Sequence, residues 1–338
     1  MPAQSSQGGQ VIFRTQAVPG TYQSDTGTAG ITMGILSGGL AANRDLAITD
    51  PEIGGSRDIK DATLGAVSYS GNYDLYPRLD AIPTLLKAAL GVSTSVTTTG
   101  VTTHTITPAD TALLPILSIE ESIGASMEVF RYTDAVVNTF HLESDANGFV
   151  RCTVGIIAIT QLAGAVRSTG PIVDTSSVEY GTNVNVITYN GTSLPAKSFS
   201  LDVNNNFDDS DFRLGLQTLG SLIPKRREVT VGMNVRNQDS SMWRQATNGS
   251  AAATGPGQLA AKQALVVGFQ TPDTIVGGTP ATNRSLQITI PSAIIKPYSM
   301  IPSGDDILDS DIEFEAVRPS NATPLLTALV KNGQAAIA

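Results

Sequence analysis

The stretch GAVSYSGNYDLYPR, residues 65–78, decides the fold. Val67, Tyr69, Tyr73 and Leu75 fall on one side of an extended chain, and Ser68, Ser70, Asn72 and Asp74 fall on the other. Alternation of period two marks a strand with one face in a core and one in water. The strand runs straight into Leu79, Ile82, Leu86 and Leu90, which recur at helical spacing, with Pro83 in the first turn and Gly91 placed to end the helix. The same order returns later in the chain. Val229, Val231, Met233 and Val235 alternate, and Asp239, Ser240 and Ser241 then supply N-cap types for a helix through Met242, Trp243 and Ala246 to Gly249.

Working outward, further elements repeat in order. Each expected helix is followed by a Thr/Gly/Ala-rich loop and a short strand, at 103–107 and at 265–269. Each half closes with a bent pair of strands, 132–159 and 294–317, broken by polar turns at Asp145-Ala146-Asn147-Gly148 and Ser303-Gly304-Asp305-Asp306. Strands at 31–40 and 197–204 precede the two strand-to-helix units. Self-similarity of this kind fixes architecture before any motif does. The expected class is mainly β: tandem duplicated sandwich or partial-barrel modules at 31–163 and 195–320, each with a short flanking α-helix. Residues 164–194, rich in Thr, Ser, Gly and Asn, read as a linker or extended arm. The arms at 1–30 and 321–338 are low in apolar residues, so both termini are expected to be ordered by partners, with a short helix at 325–330.

Composition narrows the function classes. The chain has 338 residues, 41% hydrophobic, 15% charged and 5% aromatic, with a net charge of −9. An acidic protein repels nucleic acid, so reading of DNA sequence is disfavoured. One cysteine, Cys152, and two histidines, His104 and His141, leave no disulfide framework and no multi-thiolate zinc site. Cys152 lies on the apolar side of its strand and His141 on the polar side of the neighbouring one, so structural roles are expected for both. The acidic run from Asp202 to Asp211 lacks the glycine and closing glutamate of a calcium loop, and no Gly-rich patch precedes a helix as a phosphate loop would. No cofactor, metal or catalytic set is expected, and no apolar run approaches the ~20 residues of a membrane span. No secretory signal is read at the N-terminus.

Three stretches carry a family likeness: the acidic loop Asp50-Pro51-Glu52-Ile53-Gly54-Gly55-Ser56-Arg57-Asp58; the unit 65–78 closed by Leu85-Leu86-Lys87-Ala88-Ala89-Leu90-Gly91; and the strand Phe199-Ser200-Leu201-Asp202-Val203-Asn204-Asn205. On these the sequence resembles the tail tube proteins of long-tailed bacteriophages. The resemblance implies a structural virion protein, made in the host bacterial cytoplasm and located in the virion tail. Its subunits would close into rings whose inner strands form one continuous β-barrel, and the rings would stack into a conduit for DNA ejection. Single-module relatives form hexameric rings, so a chain with two modules would form a trimer with pseudo-sixfold symmetry. Its partners would be copies of itself, other tail proteins at the tube ends, and DNA passing through the lumen without specific binding. Candidate ring-stacking residues are Asp50, Glu52, Arg57, Asp58, Lys60 and Asp61. The basic cluster Lys225, Arg226 and Arg227 either meets such an acidic loop on a neighbour or is a solvated strand start. Candidate lumen residues are Ser68, Ser70, Asn72, Glu143 and Asp202. The alternatives are an adhesive or carbohydrate-binding β-sandwich of a fibre or cell surface, for which the single Trp243 is a poor platform, and another virion component such as a capsid or tail-terminator protein.

Overall fold

A computed structural model describes residues 8–24, 30–110, 113–124, 128–169, 172–174, 176–179, 181–300 and 308–337. In chain order its first strands are β1 (Gln10–Thr15), β2 (Ile31–Thr32), β3 (Ile35–Gly38), β4 (Ala41–Ile48) and β5 (Ala62–Leu75). Helix α1 (Ile82–Leu90) follows, then β6 (Gly91–Thr98), β7 (Val101–Pro108), β8 (Leu117–Ile123), β9 (Glu128–Asp145), β10 (Arg151–Ala158) and β11 (Thr160–Leu162). The middle of the chain holds β12 (Ile172–Val173), β13 (Val184–Tyr189), β14 (Thr192–Ser193), β15 (Ala196–Asn204), β16 (Phe207–Asp208), β17 (Ile223–Pro224) and β18 (Glu228–Arg236). Helix α2 (Ser241–Asn248) precedes β19 (Gln263–Thr274), β20 (Asn283–Ile295), β21 (Asp309–Ala316) and β22 (Thr327–Asn332). The mainly β class expected from period-two alternation holds.

Seven strands form one antiparallel run in the order β4–β5–β10–β9–β15–β18–β21. The order β4–β5–β10–β9 at its start is answered by β15–β18–β21–β20, since β21 also pairs with the C-terminal end of β20 beyond the run. The correspondence reaches beyond these strands. β1 lies on β8 as β13 lies on β19; β8 and β9 form a hairpin as β19 and β20 do; β11 pairs with β9 as β22 pairs with β20. The registers agree in detail. Val137 faces Ile156 and Ile295 faces Phe314, so both residues of the second pair lie 158 positions after those of the first. Ala135 and Tyr132 flank a register shift on β8, and Ala293 and Ile290, again 158 positions on, flank one on β19. The same displacement carries the turn 145–148 onto 303–306, which lies outside the described residues.

One apolar cluster runs through the whole chain, from Phe13 and Tyr73 through Leu85, Phe140, Leu142, Leu201 and Val231 to Ile288, Phe314 and Val330. Its breadth follows from β9 pairing directly with β15: the two repeats share a sheet, so they share the space beneath it. α1 is buried along nearly all of its length, with Pro83 at its start and Gly91 at φ 119° after its end. Two expectations fail. Residues 325–330 form no helix, because Thr327–Asn332 is a strand held between β20 and β7 with Ala328 and Val330 buried. Nor are the terminal stretches without a place in the fold: β1 pairs with β8 and buries Ile12 and Phe13, and β22 bridges the two halves. Ile12 and Phe13 are adjacent in β1 and point to opposite faces, and both are buried, so the strand is covered on both sides.

Candidate functional site

On the seven-strand run every second side chain points away from the core, and those side chains form one polar face. β5 contributes Ser68, Ser70, Asn72 and Asp74, and β10 contributes Arg151 and Thr153. β9 adds His141, Glu143 and Asp145, and β15 adds Ser200, Asp202 and Asn204. β18 and β21 complete it with Glu228, Thr230, Asn234, Asp311, Glu313 and Glu315. The five expected lumen residues Ser68, Ser70, Asn72, Glu143 and Asp202 therefore lie on a single surface. Period-two alternation within each strand carried that signal; the order of the strands did not show in it.

Cross-strand contacts fix this face. Thr153 donates to Asp74 at 2.7 Å and Ser37 donates to its other oxygen at 2.6 Å, which together hold the carboxyl below its usual range. His141 Nδ1 lies 2.6 Å from Asp202 and Nε2 lies 3.5 Å from Glu143. The hydrogen bond to Asp202 raises the imidazole above its ordinary value, and Glu143 adds to the effect. Asn234 donates to Asp311 at 2.8 Å, and Lys296 is bonded to Glu313. Carboxylates outnumber bases on the face, which gives a phosphate little to bind.

β4 forms one margin of the sheet, and all of its residues are exposed. Its hairpin with β5 projects from the body, and residues 49–61 form the tip. Asp50, Glu52, Arg57, Asp58, Lys60 and Asp61 are all exposed there, with Lys60 paired to Glu52. Ile53, Ile59, Leu46, Ile48 and Leu64 are also exposed, an apolar load on a hairpin with nothing covering it.

The basic cluster divides. Lys225 and Arg226 are exposed, 3.6 Å from Asp208 and 3.9 Å from Glu315 respectively. Arg227 turns inward, giving hydrogen bonds to Asn205 Oδ1 at 2.9 Å and to the carbonyls of Ala109 and Leu90 at 3.3 and 3.4 Å. Asn205, itself buried, donates to the carbonyls of Ala89 and Val137 at 3.0 and 2.9 Å. Together they satisfy orphan carbonyls at the end of α1. Phe207 and Leu219 pack against Ala109, Leu114, Val136 and Ile157 in a second apolar cluster.

The sequence reading missed three buried carboxylates. Glu120 and Glu121 sit side by side in β8 and point to opposite faces, yet both are buried. Glu121 accepts from the Leu40 N–H at 2.9 Å, from the Tyr132 hydroxyl at 3.1 Å and from the Tyr73 hydroxyl. Burial works against charge on Glu120, but bonds from Ser168, Tyr22 and Arg131 outweigh it and hold that carboxyl low. Glu179 is different: both of its oxygens are buried without a hydrogen-bond partner, and burial pushes its pKa up to about 8, with the charge of Asp273 adding. The one available signal was that Glu120 and Glu121 are adjacent in a strand, so that one of them must point to the side that carries Leu117 and Ile119. Cys152 is fully buried, and His104 is held between Ser95 and Asn332 at 2.7 and 2.9 Å. Among the described residues no group of three or more His, Cys, Asp or Glu could hold a metal ion, and no helix is long and apolar enough to cross a membrane.

A broad polar sheet face, an uncovered hairpin and an open sheet margin define a structural subunit built for assembly. The chain belongs to the phage tail tube protein family, whose model matches residues 6–316. It is a structural component of the virion tail that self-assembles into tubes. No curated protein matches the chain.

Proposed function

We propose that the chain closes into trimeric rings of pseudo-sixfold symmetry, in two modules at 31–163 and 195–320 joined by the arm 164–194, each module completed by strands from the flanking stretches (β1 for the first, β13 and β22 for the second), and that the polar face lines the bore through which DNA passes. The observation that carries this reading is the repeated strand order: β9 of the first half pairs with β15 of the second, so the second half ends where a further first half would begin. A head-to-tail contact of this kind closes into a ring when its rotation divides a full turn, and closure is what removes sheet edges. The acidic face suits a bore that must not hold its cargo, with Ser68, Ser70, Asn72, Glu143 and Asp202 exposed to it and no reaction to perform. The hairpin tip, with Asp50, Glu52, Arg57, Asp58, Lys60 and Asp61, meets the next ring, and Lys225 and Arg226 are the exposed cluster members that receive it. Arg227 serves α1 of its own chain. Other tail proteins cap the tube ends. Negative-stain microscopy of the concentrated protein tests the proposal: hollow tubes with threefold averaged ring symmetry are expected, and solid filaments, or rings of another order, would overturn it.

A further inference from the structure

Resting on that ring reading, we propose the register of the ring-closing contact: residues 41–43 of β4 add antiparallel to residues 297–299 of the next copy, with Ala41 opposite Ser299. The join between the two halves of the chain is the template. There Asp202 lies opposite His141, Val203 opposite Phe140 and Asn204 opposite Thr139. The displacement of 158 places His141 on Ser299, Phe140 on Tyr298 and Thr139 on Pro297. On the other strand, Leu75 faces Cys152 and Val235 faces Ser310, which is Cys152 displaced by 158. Leu75 and Val235 are therefore equivalent, and so are Tyr69 and Val229. Ala42 faces Tyr69 as Val203 faces Val229, which makes Ala41, Ala42 and Asn43 the counterparts of Asp202, Val203 and Asn204.

Both margins are unfinished in the single chain. Phe140 and Leu142 are almost wholly buried, at 1% and 0% exposure, because β15 lies beside them. Their counterparts Tyr298 and Met300 are only half-buried, past the point where β20 ends at Ile295, and they line an open groove of about 640 Å³ beside Trp243 and Arg244 of α2. The Tyr298 hydroxyl is buried without a partner. α1 is buried, with Leu201, Val203 and Ile288 of the second half beside its Leu86, Ala89 and Leu90, whereas α2 has no fully buried residue. A second copy of this chain is the occupant, since the cover that the first half receives comes from the chain's own second half.

Cysteines opposite one another on neighbouring strands stand close enough to bridge. The double variant Ala41→Cys with Ser299→Cys, assembled and then oxidised, should lose its single-chain band on a denaturing gel and gain multiples of it. Each single variant should keep the single-chain band, because Cys152 is fully buried. Tubes visible by microscopy that give no multiples overturn the register while leaving the ring intact. Should the double variant fail to assemble, hydrogen exchange on the unaltered protein decides: slowed exchange at 40–44 and 298–300 on assembly supports the register, and unchanged exchange there overturns it. Absence of rings from the unaltered protein overturns the ring reading itself.

Discussion

Replacing Glu179 by glutamine should stabilise the subunit, and only at high pH. The carboxylate is 2% exposed and neither oxygen has a partner. Its pKa is lifted from 4.5 to about 8. An acid whose folded value is raised keeps its proton in the folded state after the unfolded chain has lost it, so stability falls as pH rises from about 4.5 to about 8. At ~1.4 kcal/mol per pH unit, that gap caps the penalty at about 5 kcal/mol once both states are ionised. Relaxation and entering water reduce it, and a gain of about 1–3 kcal/mol at pH 8.5 is expected from Glu179→Gln. At pH 5, where the folded carboxyl still keeps its proton and a neutral amide replaces a neutral acid, the two proteins should differ by less than about 1 kcal/mol. Urea titrations of dilute, unassembled subunit at both pH values measure this directly. An equal effect at pH 5 and pH 8.5, or a loss at pH 8.5, would refute the idea that an unsolvated charge is the liability.

Other substitutions probe the remaining features. The stability that protonated His141 draws from Asp202 and Glu143 is present below the unfolded value of 6.5 and is lost as pH rises through the raised folded value; His141→Gln should flatten that part of the urea profile, and an unchanged slope would dismiss the pair as its source. Asn205→Ala leaves the carbonyls of Ala89 and Val137 and the Arg227 guanidinium short of a partner, so a loss of about 1–3 kcal/mol is expected in the same titration, and a neutral result would mean water replaces the amide. Exchanging residues 50–60 for an Asn-Gly turn should leave the melting temperature within a few degrees while abolishing tubes by microscopy. Normal tubes from that variant would remove the hairpin tip from the stacking contact. Lys225→Ala with Arg226→Ala should weaken polymerisation more at low salt than at high salt, as light scattering would record, and an indifferent pair would be a solvated strand start.

Much of this protein was legible in its residues. The alternation Val67, Tyr69, Tyr73, Leu75 and its echo Val229, Val231, Met233, Val235 gave strand, face and repeat, because a pleated backbone sends successive side chains to opposite sides regardless of what surrounds it. The helices ended where Gly91 and Gly249 stand, since a glycine accepts the backbone geometry that ends a helix at little strain. Polar lumen candidates were readable for the same reason as the core: they are the other half of the alternation. What alternation cannot carry is which strand lies beside which. That β9 pairs with β15, that Arg227 turns inward to α1 while Arg226 faces water, and that residues 325–330 become a strand between β20 and β7 depend on partners far beyond the reach of a local pattern, such as Leu90, 137 residues from Arg227. The burial of Glu120, Glu121 and Glu179 is of the same kind, because a carboxylate is kept or disfavoured by the groups folded around it and not by its neighbours in the chain. Local pattern determined the elements and their faces; only the tertiary structure decided their order in the sheet, and with it the margins left open.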